Sequence, residues 1–319
     1  MKFTVIGCGR WGTFIAWYLD HIGHEVTLYG RKGSKNMERL MGERRNAYVE
    51  LPDTLHLTND LACVSDAEAI VISIGSQSLQ SLCESLAPYE LRYKTFILCM
   101  KGVEIGTGRR LSQIMEDNCD ASNRIAVWLG PGHVEEFTRG VPNCMVIDSA
   151  HEATRQLLVE QLSSELIRFY YGMDLIGNEI GAAAKNVVGI AAGMLDGAGR
   201  SSLKGPLMAR GPREIARLIK AMGGNELSAY GLCHLGDYEA TLFSAHSHNR
   251  MFGERFIRGE SYDQLAEGYY TVKALVSLGE RYHVELPICQ AVYGLLYESQ
   301  SPDTVLDGLF SRSLKGEFV

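Results

Sequence analysis

The sequence predicts an α/β domain with a doubly wound, mostly parallel sheet over residues 1–174, followed by an all-α domain over residues 175–319. Three observations lead to this prediction. Short apolar, β-branched runs alternate with stretches of helical length in the first half, as in a parallel sheet that helices cover on both faces. A glycine-rich turn follows the first of these runs. In the second half the strand patterns give way to long stretches with helical apolar spacing.

The expected strands are short apolar runs bounded by glycine or polar residues. They comprise residues 2–6, 25–29, 69–74, 95–99, 125–129, 144–147 and 167–171. A helix over residues 13–19 lies between the first two strands, so a βαβ unit fits into roughly thirty residues. The helices expected in the second half comprise residues 178–195, 207–222, 262–282 and 288–298.

The composition excludes several classes of protein. A net charge of −7 argues against nucleic-acid binding, because nucleic-acid binders usually present a basic domain or stripe. The longest apolar run, residues 187–195, is about half of the ~18 to 20 residues of a membrane span, so no membrane insertion is expected. Eight cysteines scattered without a C-x-x-C pair are typical of reduced thiols in a cytoplasmic protein. No metal site is expected, because the pair His246 and His248 lacks a further assigned ligand.

The glycine-rich turn has the pattern of a dinucleotide-binding, or Rossmann-type, loop. Gly7, Gly9 and Gly12 lie in the sequence G-C-G-R-W-G, between a predicted strand and a predicted helix. In such loops the glycines permit a tight turn, the approach of a pyrophosphate to the backbone, and close packing of the helix on the strand. Arg10 and Trp11, between the last two glycines, are therefore expected to contact the cofactor. A glycine turn in an α/β domain without a ligand is the alternative.

The residues after the second strand bear on the choice of cofactor. Sites that prefer NAD usually carry Asp or Glu at this point to bind the ribose 2′-hydroxyl, whereas this chain carries Arg31 and Lys32. A guanidinium and an ammonium suit a 2′-phosphate. The cofactor is expected to be NADP or NAD, with NADP slightly favoured, unless these two residues are merely solvated loop charges.

One lysine has unusual surroundings in the predicted helix over residues 178–195. Lys185 is the only charged residue between Glu179 and Asp196, and Gly181 and Gly189 share its helical face. A partly desolvated lysine there would lose part of its preference for the charged form and could exchange a proton near neutral pH. The alternative is tight helix packing, with the lysine reaching out to solvent.

Several motifs in order along the chain resemble one family, the bacterial type of NAD(P)-dependent sn-glycerol-3-phosphate dehydrogenase. The motifs are GCGRWGT at Gly7, HEVTLYGR ending at Arg31, MKGVEIGTGRRLS from Met100, LGPGHVEEF from Leu129, NEIGAAAKN from Asn178, ARGPREIARL from Ala209, LGDY from Leu235, SHNRMFG from Ser247 and EGYYT from Glu267. The resemblance implies reversible hydride transfer between NAD(P)H and dihydroxyacetone phosphate, a phosphorylated triose. The product, sn-glycerol 3-phosphate, supplies the backbone for phospholipid synthesis. The resemblance also implies a homodimer.

The resemblance assigns roles to particular residues. Lys185, Asp237 and Lys101 are implied to be catalytic: Lys185 exchanges the proton, Asp237 lies beside it, and Lys101 contacts substrate and cofactor. The substrate site would further include Gly130, Gly132, Thr241, Ser247, His248 and Asn249. The cofactor site would add Val134, His248 and Glu267 to the glycine loop, Arg31, Lys32 and Lys101. As alternatives, Asp237 would be a helix cap and Glu267 a solvated helix charge.

Two residues depart from the family pattern. His248 stands where the family has an arginine, so phosphate binding is expected to be weaker or pH-dependent unless Arg250 or another base substitutes. Gly132 stands where the family often has a polar side chain. Two other functions remain open: a related dehydrogenase for another polyol phosphate or hydroxy acid, and a cofactor-binding regulator without catalysis. Lys101 and the segment from LGDY to SHNR favour glycerol-3-phosphate dehydrogenase over the related dehydrogenases, and the presence of Lys185 and Asp237 argues against the regulator.

Overall fold

The computed structural model describes residues 1–313 and 316–317. Its described part contains an eight-stranded sheet in the order β3-β2-β1-β4-β5-β6-β7-β8. The strands are β1 (Lys2–Ile6), β2 (Glu25–Tyr29), β3 (His56–Thr58), β4 (Ala69–Ile72), β5 (Thr95–Leu98), β6 (Arg124–Leu129), β7 (Asn143–Ser149) and β8 (Ile167–Tyr171). All neighbouring pairs are parallel except β6 and β7. The expected strands are confirmed, and the short β3 was not expected.

Six helices belong to the sheet domain. They are α1 (Arg10–His21), α2 (Lys35–Glu43), α3 (Leu79–Leu86), α4 (Leu111–Asn118), α5 (Val134–Phe137) and α6 (Glu152–Leu162). Two separate hydrophobic clusters include residues from opposite faces of the central strands, so the predicted doubly wound sheet is confirmed. The strand order reverses at β1 and β4, and ligands of open α/β sheets bind at the carboxyl ends of the strands beside such a point.

The second half is helical over the residues that the structure describes. Its helices are α7 (Leu175–Gly197), α8 (Lys204–Ala221), α9 (His248–Ile257), α10 (Glu267–Arg281), α11 (Pro287–Tyr297) and α12 (Pro302–Phe310). The proposed domain division at 174/175 falls directly before α7, which runs through the centre of this domain with most of its side chains buried. Among all described helices, none is long and apolar enough to cross a membrane.

The small residues of α7 allow α9 to pack against it at backbone distance. A Cβ atom added to Gly193 would lie 1.9 Å from the carbonyl oxygen of Arg250, and one added to Gly253 would lie 2.1 Å from that of Ile190. Tight packing therefore explains part of the small-residue face. It does not explain Lys185, which remains only 8% exposed and so does not reach out to solvent.

Candidate active site

The glycine loop joins β1 to α1 beside β4. Gly7 has φ +113°, and a Cβ atom there would lie 2.1 Å from the carbonyl oxygen of Ser73, while one at Gly12 would lie 1.9 Å from that of Gly7. A Cβ atom at Gly9 would meet no heavy atom within 4 Å. Gly9 is also the N-cap of α1, which has neither a side-chain cap nor an acidic residue in its first turn. The loop thus leaves open backbone space in front of a helix N-terminus, which fits a pyrophosphate.

The far end of this cleft carries positive charge. Arg31 and Lys32 are both exposed directly after β2, ahead of α2, whose N-cap is Ser34. The two cations therefore stand where the 2′-substituent of a bound dinucleotide is expected. Trp11 packs beside Phe137, with the ring centroids 6.2 Å apart.

Two lysines and one aspartate meet at the other end of the cleft, where the domains face each other. Asp237 is 1% exposed in a short turn, Leu235–Asp237. Its Oδ2 lies 2.7 Å from Nζ of Lys101 and 2.9 Å from Nζ of Lys185. Lys101 follows β5 and also donates a hydrogen bond of 2.8 Å to the carbonyl oxygen of Gly130, which follows β6. The carboxylate of Asp237 therefore contacts two ammonium groups. When all three groups are charged, the cluster has a net positive charge.

Lys185 is the most buried cation of this group. Its Nζ donates to the hydroxyl of Thr241 at 2.9 Å, and that hydroxyl donates to the backbone carbonyl of Asp237 at 2.7 Å. Burial lowers the pKa of Lys185 to about 8, although the carboxylate of Asp237 opposes this shift. The amine is therefore ready to exchange a proton close to neutral pH.

Thr241 reaches Lys185 for two reasons: its own turn is wider than an α-helical turn, and α7 has a glycine where it faces the threonine. The residue lies in a π-helical turn, Glu239–Phe243, a type of turn that often occurs at functional sites. A Cβ atom at Gly189 would lie 2.6 Å from Cγ2 of Thr241. Any larger residue than glycine would push the threonine away from Lys185.

Asn249 connects three elements around the site. Its side-chain oxygen accepts from the backbone N–H of Gly268 at 2.9 Å, and its amide donates to Oδ1 of Asn186 at 3.1 Å. Asn186 in turn donates to the backbone carbonyl of Lys101 at 2.9 Å. Sequence analysis missed Asn186, although its position directly after Lys185 placed it beside the site.

Glu267 begins α10 and contacts the sheet domain. Its carboxylate accepts from the backbone N–H of Ser76 at 3.1 Å and from the Ser76 hydroxyl at 2.6 Å. Burial raises the pKa of Glu267. The side chain is thus an interdomain contact rather than a solvated helix charge, and Ser76 is a second residue that sequence analysis missed.

The SHNR segment is held by its own contacts. The Ser247 hydroxyl caps α9 by accepting from the N–H of Arg250 at 3.3 Å. Nδ1 of His248 pairs with the Tyr262 hydroxyl at 2.7 Å, and burial, followed by the charge of Arg10, lowers the pKa of His248. Arg250 binds Asp196 and Glu254, at 2.9 and 2.8 Å. Because these two carboxylates hold the Arg250 guanidinium, Arg250 does not substitute for the arginine that the family has at position 248.

Gly132 has a steric reason to lack a side chain. Its φ is +155°, and a Cβ atom there would lie 2.4 Å from Cε2 of Phe137, which is 2% exposed. The phenyl ring thus fills the place of a polar side chain. The side chain of Val134 is buried in the same core cluster, so only its backbone is available to a cofactor.

Comparisons with known proteins point to one family. Models of the N-terminal and C-terminal parts of NAD-dependent glycerol-3-phosphate dehydrogenase match residues 2–155 and 174–307. An NAD(P)+ glycerol-3-phosphate dehydrogenase of Thermotoga sp. (strain RQ2) is 36% identical over 100% of this chain and 99% of its own. The enzyme of that name from Prosthecochloris aestuarii is 34% identical over 99% of this chain and 100% of its own. The crystal structure of glycerol-3-phosphate dehydrogenase from Coxiella burnetii superimposes with a TM-score of 0.90 at 26% identity, over 98% of this chain and 99% of that one.

Proposed function

This chain belongs to the NAD-dependent glycerol-3-phosphate dehydrogenase family, and we propose that it interconverts dihydroxyacetone phosphate and sn-glycerol 3-phosphate with the site around Lys185. It is an oxidoreductase that uses NAD or NADP. The observation that carries the proposal is the Asp237 carboxylate held between Lys101 and Lys185 where the domains meet. The bound nicotinamide would supply or accept the hydride at C2 of the substrate.

Lys185 is the proton donor of the reduction. Addition of a hydride to a ketone develops negative charge on the oxygen, so a protonated amine at that oxygen donates its proton as the charge appears. Thr241 and Asp237 fix the position of the amine with two short contacts. In the oxidation the neutral amine accepts the hydroxyl proton instead.

Lys101 and Asp237 support this transfer. Lys101 adds a second positive charge to the site, while the carboxylate of Asp237 offsets the repulsion between the two ammonium groups and helps to keep Lys185 charged. Thr241 contacts Lys185 directly, and Asn249 contacts Asn186, the residue after Lys185, so both lie close enough to this group to contact the substrate. Ser247 lies two residues before Asn249, at the N-terminus of α9.

A substrate panel with both cofactors tests the proposal. Purified protein should oxidise NADPH or NADH when it is given dihydroxyacetone phosphate. Glycerol 1-phosphate tests the stereochemistry of the reverse reaction, and non-phosphorylated hydroxy acids test the related dehydrogenases. Turnover only with a hydroxy acid would overturn the proposed substrate, and no turnover with any of them would favour a regulator.

The two directions of the reaction should respond oppositely to pH. Because reduction needs the protonated form of Lys185, whose pKa is about 8 in the free protein, kcat/KM for reduction should fall as the pH rises through that value. Oxidation needs the neutral amine, so its kcat/KM should rise over the same range. Steady-state kinetics in both directions from pH 6 to 10 (roughly two units either side of that pKa) would check this. If the rates of reduction and of oxidation both rose, or both fell, over this pH range, the assignment would be contradicted.

Arg31 should discriminate between the two cofactors. Arg31→Ala removes a guanidinium placed for a 2′-phosphate, so KM for NADPH should rise by about 10-fold or more while KM for NADH changes little. The matched control is Arg39→Ala, which removes another exposed arginine of the same region, on α2 and paired with Glu43. Equal effects on both cofactors would refute the assignment.

Assembly and location are further parts of the proposal. We expect a homodimer, as implied by the family resemblance, and sedimentation measurements on the purified chain would test it. A cytoplasmic location agrees with the eight cysteines, which all lie in the described part and are free thiols.

A further inference from the structure

Arg10 projects from the glycine loop into a cluster of polar side chains. It forms an ion pair with Glu135 of α5, and its guanidinium lies 5.1 Å from the ring centroid of Tyr48. The two side chains of the ion pair are 24% and 26% exposed. His246, in the segment before α9, has its Nδ1 4.0 Å from Oε1 of the same glutamate. Three separate parts of the chain thus meet at one carboxylate.

His133 lies between this cluster and the reacting centre. Its ring centroid is 5.9 Å from that of His246. Burial lowers the pKa of His133, and the charge of Arg10 adds to this shift. Its Nε2 is buried without a hydrogen-bond partner among the described residues. Since buried polar atoms nearly always have a partner, this one indicates that a polar group or water belongs beside it.

The other cations near the reacting centre already have partners. Lys101 and Lys185 share the Asp237 carboxylate, and Arg250 binds Asp196 and Glu254. His248 has a lowered pKa and is neutral at physiological pH. Arg10 differs from them in its partner: the Glu135 side chain is 26% exposed, more than those of Asp237, Asp196 and Glu254, so water can solvate it when it is displaced.

We propose that Arg10 binds the phosphate group of the substrate. Glu135 pairs with the guanidinium in the free protein, and the phosphate displaces it when the substrate binds. This inference rests on the proposed function, because it assigns the phosphate of that substrate. A three-carbon substrate whose carbonyl oxygen faces Lys185 has its phosphate only one methylene and one ester oxygen away from C2. The segment from Gly130 to Glu135 joins the two places: the Gly130 carbonyl accepts from Lys101 at the reacting centre, and Glu135 pairs with Arg10. His133 lies between them in this segment.

The chemistry of the groups fits this exchange. A guanidinium presents paired donors to phosphate as it does to carboxylate, and it stays charged at every physiological pH. The dianionic phosphate competes well with a single carboxylate for these donors. His133 in its Nε2–H form would give the bound phosphate a further donor. The displaced Glu135 carboxylate is close to the edge of the cleft, where water can solvate it.

Two variants have opposite expected effects. Arg10→Gln should raise KM for dihydroxyacetone phosphate, measured at saturating NADPH, by about 10- to 100-fold. Glu135→Gln should lower KM, because it removes the competing carboxylate. Arg39→Gln, which breaks an exposed ion pair on α2, is the matched control. Calorimetry with glycerol 3-phosphate should show the same order of affinities without turnover.

Three results would overturn the inference. An unchanged KM in Arg10→Gln would show that the guanidinium does not touch the substrate. A rise in KM for both variants, together with lower melting temperatures, would show that the ion pair only ties α1 to α5. Weaker NADPH binding with normal substrate KM would place the cofactor pyrophosphate, not the substrate, at Arg10. Failure of the proposed function is a separate result, namely no turnover of dihydroxyacetone phosphate by the unaltered protein.

Discussion

Lys185→Met should reduce turnover in both directions by about 100- to 10,000-fold, the range over which a positioned acid or base accelerates proton transfer. Methionine keeps the unbranched apolar part of the side chain but lacks the amine and so has no proton to exchange. The fold should survive, because Asp237 keeps its contact with Lys101 at 2.7 Å when the second ammonium is lost. Binding of NADPH, followed by its fluorescence, should be close to that of the unaltered protein.

Lys204→Met is the matched control for this variant. Lys204 is as buried as Lys185, at 8% exposure, and also pairs with an aspartate, Asp196, at 2.6 Å. Its other bond, of 3.1 Å, goes to the carbonyl oxygen of Leu242 and not to Asp237 or to the Thr241 hydroxyl. Its loss should lower the melting temperature while kcat is retained. If Lys185→Met kept as much activity as Lys204→Met, the proton-transfer role of Lys185 would be wrong.

Features that depend on local sequence could be predicted. The glycine loop is a strand, a turn and a helix within about thirty residues, so its glycines and their order contain the necessary information. The same is true of Lys185, whose apolar and glycine neighbours already indicate burial on one helix. The strand over residues 167–171 has the predicted bounds, and Gly172 directly follows its last residue.

Features that depend on contacts between distant residues could not be predicted. The strand β3 has only three residues and forms by pairing with β2. The sequence of β3 itself contains no pattern that predicts this strand. The contact of Glu267 with Ser76 spans 191 positions, and that of Arg10 with Glu135 spans 125. The helix expected from residue 262 begins at Glu267, where that carboxylate contacts Ser76. Tertiary contacts decide all of these, within the sheet domain for β3 and Arg10 and between the domains for Glu267, and such contacts are not encoded in the local period of apolar residues.

Asp237→Asn should be the other variant with a large effect, and its effect should depend on pH. The substitution leaves two buried ammonium groups around a neutral amide, each within 3 Å of the position of the former carboxylate oxygen. Loss of one partner from a buried charge cluster costs about 3–5 kcal/mol of stability. The protein can relieve this cost by releasing the proton of Lys185, so the pKa of that lysine should fall below its value of about 8 in the unaltered protein.

The direction of this shift separates Asp237 from a merely structural aspartate. With a lower pKa for Lys185, less of the lysine is protonated at neutral pH, so the alkaline limb of the reduction should move to lower pH. Since a lysine with a depressed pKa binds fewer protons in the folded state, the melting temperature of Asp237→Asn should recover as the pH rises from 6 to about 9. Asp196→Asn removes a different carboxylate, one that holds Lys204 and Arg250, and should leave the limb in place. An unshifted limb in Asp237→Asn would mean that the carboxylate does not set the charge of Lys185, and the proposed pairing of acid and counterion would then be wrong.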